Sequence, residues 1–363
     1  MNQKNKKSAL VEQKGIERPE IVSEIVANKI QGFRKNIPTS QDLIQGILNG
    51  NITSLSRAIS LIESTNTEHE QRANEVINAC LPFANQSIRV GITGVPGVGK
   101  STFIEAFGKY LTGLGKKVAV LAVDPSSTIS HGSILGDKTR MEELVKDKNA
   151  FIRPSASGEN LGGVARKTRE TIILCEAFGF DTILIETVGV GQSETAVHSM
   201  VDFFLLLNLA GAGDELQGIK RGIMEMADAV IINKCDGENI TRAKLAKAAF
   251  NRAIHMFPAK KSGWSPKVYT CSALMQTGID ELWEMIMEFK NLTDTNGYFE
   301  KKRTEQNQYW LLETINAALQ QNFYTNPKIM ELLEKNKIAV QDNKKSPFEV
   351  ANQLLKSYFE DNG

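Results

Sequence analysis

The sequence contains few cysteines and histidines, no long apolar run and no excess of charge of either sign. Its four cysteines lie far apart and form no CxxC pair, which argues against a disulfide framework and against a thiolate metal site. The four histidines form no tract, so a metal-storage protein is not indicated. The 43 basic and 42 acidic residues nearly cancel, so we expect neither nucleic acid nor an anionic membrane as a partner.

No segment resembles a membrane span or a secretion signal. The longest apolar runs, such as Phe203–Leu207, have the length of a strand, whereas a membrane helix needs about 20 apolar residues. The first residues are rich in lysine, lack the apolar stretch of a signal peptide and are soon followed by acids such as Glu12. We therefore expect a cytoplasmic protein.

Three regions differ in their pattern, and we predict a boundary at each change. Residues 1–86 carry apolar residues at helical spacing, which predicts an N-terminal helical extension. In residues 87–290, short β-branched runs alternate with amphipathic stretches, which predicts an α/β domain with a mostly parallel central sheet flanked by helices. Residues 291–363 predict a C-terminal helical arm that begins with a polar linker at Asn291–Gly297. The predicted strands are Ile88–Thr93, Val118–Val123, Phe151–Arg153, Thr182–Thr187, Phe203–Leu209, Ala229–Asn233 and Val268–Cys271.

A glycine-rich segment directly after the first predicted strand matches GxxxxGK[ST] and leads into a predicted helix. Its glycines let backbone N–H groups surround phosphate oxygens, and the helix N-terminus adds its dipole. Lys100 can reach the β- and γ-phosphates, while the Ser101 hydroxyl can join a magnesium ion. The segment thus predicts a P-loop nucleotide site. The nucleotide-binding residues predicted from it are Gly94, Val95, Pro96, Gly97, Val98, Gly99, Lys100, Ser101 and Thr102.

The segment Asn233-Lys234-Cys235-Asp236 follows a predicted buried strand and indicates which base is bound. The Asp236 carboxylate can accept hydrogen bonds from N1–H and the 2-amino group of guanine, whereas adenine would leave this charge unpaired. Asn233 can address the O6/N7 edge of guanine or brace the phosphate loop, and the Lys234 stem can cover the ring. A second strand end can present backbone N–H groups to O6 through Ser272, Ala273 and Leu274.

Two further strand ends carry acids, and ligands bind at the carboxyl ends of parallel strands. Asp124 follows the second strand, and Glu186 is the penultimate residue of the fourth. Either can hold magnesium or its waters, and Glu186 can also orient the attacking water. Gly189 can bond the γ-phosphate through its N–H group. Asp137 and Arg140 start a predicted helix, and from the residues alone they fit a helix cap and a surface arginine equally well.

Taken together, the motifs resemble those of the methylmalonyl-CoA mutase-associated GTPases (MeaB, also called ArgK), in the metallochaperone-related group of P-loop GTPases. The similarity runs with little interruption from about Gly91 to Gly237 and is looser in the helical ends. The stretches that carry it are GVPGVGKSTFIEAFG, VAVLAVDPSS, GSILGDKTRM, RPSASGENLGGVARKTRE, IETVGVGQSE, LAGAGDELQGIKRGIMEMAD and INKCDG.

The resemblance implies a magnesium-dependent GTPase that hydrolyses GTP to GDP and phosphate. It implies a chaperone or switch for adenosylcobalamin-dependent methylmalonyl-CoA mutase, which gates cofactor loading and protects or reactivates the mutase. It further implies a homodimer paired through the C-terminal arm. The chain has no DxHxxG-type cobalamin loop, so we expect cobalamin to belong to the partner.

The resemblance also implies roles for individual residues. Asp137 and Arg140 belong to a first switch, Glu186–Gln192 to a second, and Leu209–Lys220 to a third that relays the nucleotide state to the mutase. The magnesium shell consists of Ser101, Asp124, Asp137 and Glu186. The catalytic residues are Lys100, Glu186 and Arg140.

Two alternative functions are less well supported by the sequence. A nickel-insertion GTPase of the same group would rely on a His-rich or Cys-containing metal loop, and this chain has neither. A P-loop kinase of an amino-acid transport system, an activity once attached to the ArgK name, would not need guanine selectivity.

Overall fold

A seven-stranded parallel sheet forms the centre of the protein. The computed structural model describes residues 38–64, 66–123, 141–154, 161–187, 193–210 and 221–362. The strands are β1 (Ile88–Gly94), β2 (Val118–Val123), β3 (Ala150–Arg153), β4 (Thr182–Thr187), β5 (Phe203–Leu209), β6 (Ala229–Asn233) and β7 (Lys267–Thr270). Their order is β3-β2-β4-β1-β5-β6-β7, and each neighbouring pair is parallel. The predicted fold class is confirmed, and every predicted strand lies within one residue of the observed one.

The central strands are apolar on both faces because helices cover both sides of the sheet. Alternate residues of β1 contribute to two packing layers: Val90 and Ile92 face one layer, whereas Arg89, Gly91 and Thr93 face the other. β1 lies between β4 and β5 in the middle of the sheet, so the segment that follows it emerges at the centre of the carboxyl edge.

The helices are distributed along the whole described chain. They are α1 (Ser40–Leu48), α2 (Ile52–Glu63), α3 (Thr67–Cys80), α4 (Lys100–Gly113), α5 (Glu142–Val145), α6 (Leu161–Phe178), α7 (Ser193–His198), α8 (Arg221–Met226), α9 (Ile240–Ile254), α10 (Ile279–Thr295), α11 (Tyr298–Thr325), α12 (Pro327–Gln341) and α13 (Pro347–Asn362). Short 3₁₀ turns occur at Leu81–Phe83 and Gly237–Asn239. α4 and α10 pack on one face of the sheet, and α6 and α7 on the other.

The N-terminal helices form a layer outside α6. α1 begins with a capping box, in which Thr39 and Asp42 satisfy each other's backbone N–H groups. Apolar residues of α1 to α3, such as Ile47, Leu55 and Ile59, share one buried cluster with α6 and with the sheet. The described part of the predicted helical extension is therefore packed onto the α/β core.

The C-terminal region is helical, as predicted, but most of the predicted linker belongs to the helix before it. Asn291–Thr295 continues α10, and only Asn296 and Gly297 form the turn to α11. Within this continuation Thr293 is buried, and its hydroxyl donates to the Phe289 carbonyl oxygen at 2.8 Å, so this polar residue lies inside the protein. In the part of the chain that the structure describes, no helix has the length and apolar character needed to cross a bilayer.

Candidate nucleotide-binding site

The predicted phosphate loop joins β1 to α4 at the centre of the carboxyl edge. Gly99 caps α4 in a left-handed conformation with φ of +89°, which a residue with a side chain adopts only with strain. The α4 N-terminus therefore points its unpaired N–H groups toward the loop, as an anion site requires. Lys100 Nζ donates to the Gly94 carbonyl oxygen at 3.0 Å, so the lysine folds back over the loop.

Two residues at the end of β6 hold the phosphate loop in place. Asn233, which is buried, donates from Nδ2 to the Val98 carbonyl oxygen at 2.9 Å. Lys234 has a φ of +58°, unusual for a residue with a side chain, and its Nζ donates to the Gly97 carbonyl oxygen at 2.9 Å. The structure thus contains the bracing contact that the sequence offered as one alternative for Asn233, and Lys234 adds a second one.

The residues predicted to bind the base come together from two strand ends. Asp236 follows β6, and its carboxylate accepts a hydrogen bond from the Ser272 hydroxyl in the segment after β7. The two segments are also joined by a bond from the Cys235 N–H group to the Cys271 carbonyl oxygen at 2.9 Å. These bonds fix the carboxylate that is predicted to receive the guanine N1–H and amino groups.

The backbone N–H groups predicted to face guanine O6 are partly engaged within the protein. The Ser272 N–H group donates to the Thr277 carbonyl oxygen at 3.0 Å, and the Ala273 N–H group donates to Asn233 Oδ1 at 3.2 Å. Leu274 is 76% exposed and stands at the outer end of the segment. Contact between these residues and the base remains a prediction.

Glu186 is the penultimate residue of β4, lies beside β1 and is buried. The next residue, Thr187, donates from its hydroxyl to the Thr93 hydroxyl at 2.9 Å, which joins the ends of β4 and β1. Burial lowers the pKa of Lys100, and the charges of Glu186 and Glu194 oppose this shift. The lysine is therefore held in a partly dry site next to two carboxylates.

A magnesium ion fits the chemistry of the donors that the structure places here. The Ser101 hydroxyl at the start of α4 and the Glu186 carboxylate at the end of β4 are oxygen donors of the kind that this hard cation prefers. Within the described ranges, no group of three metal-ligating side chains is found. The other two predicted ligands, Asp124 and Asp137, lie outside those ranges, and so do Arg140 and Gly189.

Most of the predicted switch residues likewise fall outside the described residues. Of the second switch, Glu186 and Thr187 are described, and Val188–Gln192 are not. Of the third, Leu209 and Ala210 are described. Their roles therefore remain predictions.

The motifs did not identify two residues of the site. The Ser272 side chain orients Asp236, although only its backbone was expected to matter. Glu194, in the first turn of α7, is buried, and its charge acts to raise the pKa of Lys100. A buried glutamate two residues after a predicted switch is a signal only in retrospect, because its burial depends on how α7 packs.

Comparison with known proteins agrees with this geometry. The model of the family described as methylmalonyl Co-A mutase-associated GTPase MeaB matches residues 55–328. GTPase ArgK of Escherichia coli is 43% identical over 86% of this chain and 94% of its own length. The mouse mitochondrial methylmalonic aciduria type A homolog is 45% identical over 87% of this chain and 79% of its own length. A crystal structure of an LAO/AO transport system kinase superposes with a TM-score of 0.72 at 37% identity, covering 89% of this chain and 98% of that one.

Proposed function

The chain belongs to the methylmalonyl-CoA mutase-associated GTPase family and is a P-loop GTPase, and from this we propose that it is a GTP-driven chaperone of an adenosylcobalamin-dependent acyl-CoA mutase. Methylmalonyl-CoA mutase is the first candidate for this partner, because the family description names it and a mouse relative is named for methylmalonic aciduria. The observation that carries the nucleotide-binding part of the proposal is the joined phosphate and base loops, in which Asn233 and Lys234 hold the carbonyl groups of the phosphate loop.

In the proposed reaction, the residues of the site bind and orient GTP. Lys100 exchanges the Gly94 carbonyl oxygen for phosphate oxygens, and Asp236 accepts the N1–H and amino groups of guanine. When bound, magnesium would supply positive charge beside the β- and γ-phosphates, held by Ser101 and Glu186. Asp124 and Asp137 are the further proposed ligands. Glu186 is also proposed to orient the attacking water.

We propose Arg140 and Gly189 as the residues that respond to the γ-phosphate, from their positions in the first and second predicted switches. Glycine at 189 is followed by Val190, whereas small Ras-like GTPases have a water-positioning glutamine there. This difference supports slow intrinsic hydrolysis that accelerates when the mutase orders the switches. Cobalamin is proposed to bind to the mutase and not to this chain alone.

A homodimer paired through the C-terminal arm is part of the proposal. The second half of α11 carries an exposed apolar stripe, with Leu311, Leu312 and Leu319 each about three-fifths exposed. An apolar stripe on a long helix is a common interface between subunits. Light scattering should give twice the mass of one chain. The double variant with Leu312→Glu and Leu319→Glu should give the mass of a single chain.

The proposal is tested by measuring GTP turnover at saturating GTP with and without purified methylmalonyl-CoA mutase. We expect turnover to rise at least tenfold with the mutase, and we expect the two proteins to co-purify more strongly in one nucleotide state than in the other. Lys100→Ala should abolish turnover while leaving the fold intact. Equal turnover in both conditions, together with no co-purification, would refute the chaperone function.

The same preparation distinguishes the two alternatives. A kinase would transfer labelled phosphate from ATP to an amino-acid-binding protein, and a nickel-insertion GTPase would bind nickel. The sequence argues against the second, because it has neither a His-rich nor a Cys-containing metal loop.

A further inference from the structure

Glu194 is a buried acid to which the motifs give no role. It is the second residue of α7, it is 6% exposed, and its Oε2 atom has no hydrogen-bond partner in the part of the chain that the structure describes. A carboxylate oxygen removed from water without a partner is costly, so its presence needs a physical reason. Its position supplies one.

The packing of α7 places Glu194 under the phosphate loop. α7 connects β4 to β5, two strands that both run parallel to β1, so it must run back toward the amino ends of the strands. Val197 meets β1 at Gly91, where an added Cβ would lie 3.0 Å from Val197 Cγ1. Glu194 precedes Val197 by three residues, which is nearly one helical turn closer to the carboxyl edge. It therefore lies at the level where β1 ends in the phosphate loop.

The two acids whose charges act on the pKa of Lys100 belong to opposite faces of the sheet. Glu186 lies on the α4 face, since its neighbour Leu184 belongs to the layer beneath α4, and Glu194 comes from the α7 face. The burial of Lys100 lowers its pKa, and both acids act to raise it. Without nucleotide, the lysine charge is thus balanced by protein carboxylates.

A bound nucleotide changes this balance, because its phosphates interact with the Lys100 ammonium group and bring their own negative charge. Glu186 then has a proposed role with magnesium, whereas no such partner is assigned to Glu194. Its charge is left facing the phosphates in a partly dry site, where repulsion is weakly screened. The repulsion grows with the number of phosphate charges near the lysine.

We infer that Glu194 is a specificity-determining residue that weakens the binding of GTP relative to GDP, through repulsion between its buried carboxylate and the phosphates held by Lys100. The inference rests on the proposed GTP-binding function. It gives the protein a built-in bias toward the diphosphate state, which a partner would have to offset.

The test measures the affinities of full-length protein for GDP and for the β,γ-imido analogue of GTP, with magnesium, by calorimetry. Glu194→Gln keeps the size of the side chain and removes its charge. We expect the affinity for the analogue to rise about tenfold and that for GDP less than about threefold. Glu194→Asp retains the charge and should keep the wild-type ratio of the two affinities. Glu170→Gln is the matched control, because it removes the same charge from α6, where Glu170 pairs with Arg166 at 2.9 Å.

An unchanged ratio in Glu194→Gln would overturn the inference. A parallel fall of both affinities with a lower unfolding temperature would also overturn it, since that result indicates a purely structural role. If Glu194→Gln does not fold, the ratio is measured in Glu194→Met, where a wild-type value is equally contrary. A wild-type protein that binds neither nucleotide would instead refute the proposed function.

Discussion

Arg303 of α11 donates two hydrogen bonds to the Asp202 carboxylate, from Nε to Oδ1 at 2.9 Å and from Nη2 to Oδ2 at 2.6 Å. Both side chains are buried. Arg303 also donates to the carbonyl oxygens of Asn85 and Ser87, each at 2.6 Å. The C-terminal arm is thereby attached to the amino ends of β1 and β5, opposite the nucleotide site.

Arg303→Met should lower the free energy of unfolding by about 3–5 kcal/mol, because it leaves the Asp202 charge buried without its main partner. Chemical denaturation at neutral pH measures this change. Lys335→Met is the control, since Lys335 pairs with Glu331 on the exposed surface of α12 and should change stability by less than about 0.5 kcal/mol. A loss of under about 1 kcal/mol for Arg303→Met would show that the attachment is weaker than its geometry indicates.

Stability should fall as the pH drops from 6.5 toward 4, because of His198 at the end of α7. Burial, followed by the charge of Lys302, lowers the pKa of His198 from 6.5 to about 4. In this window the unfolded chain binds a proton at this position that the folded chain does not, so acid favours unfolding by about 3 kcal/mol. Denaturation curves at several pH values measure the slope.

His198→Phe should flatten the slope between pH 4 and 6.5, because phenylalanine does not bind a proton. The phenylalanine ring can keep the edge contact with Phe204, whose ring centroid lies 5.4 Å from that of His198. His255→Phe, at the exposed end of α9, should keep the wild-type slope because His198 is still present. A wild-type slope in His198→Phe would assign the acid sensitivity to other groups.

Asp236→Asn should reduce GTP affinity about 100-fold and raise affinity for xanthosine triphosphate. The amide presents a donor where guanine also donates, whereas xanthine presents an acceptor at that position. Competition binding with both nucleotides measures the change. Glu238→Gln removes an exposed charge two residues away and should leave both affinities unchanged. Unchanged GTP affinity in Asp236→Asn would refute the base assignment.

Asn233→Ala should weaken GDP and GTP binding together, by about tenfold or more, because the Val98 carbonyl group loses its brace. The comparison is Asn296→Ala, which removes a similar bond, from Nδ2 to the Ser262 carbonyl oxygen at 2.9 Å, far along the chain from the phosphate loop. That variant should lose stability but bind nucleotides normally. Equal affinities in the two variants would mean that the brace does not shape the loop.

Most of the fold could be predicted from local sequence patterns. The strands were predictable because continuous runs such as Val118–Val123 are buried on both faces, and the phosphate loop because GxxxxGK[ST] fixes one backbone path. Asn291–Thr295 was misread as a linker, since its polar composition does not reveal that Thr293 turns inward. The sequence also could not reveal that Asn233 reaches Val98 or that Ser272 orients Asp236, because these contacts join segments brought together only by the strand order.

The attachment of α11 at Arg303 has a geometric consequence for the rest of that helix. From Arg303 to the end of α11 at Thr325, the helix extends about 33 Å at about 1.5 Å per residue. Trp310 Nε1 donates to the Ser199 carbonyl oxygen at 3.3 Å, so the residues directly after α7 touch the helix near its fixed end. A tilt of about 5° there would displace the far end by about 3 Å, over half the rise of one helical turn. A small shift of α7 would therefore become a large movement at the distal end of the arm.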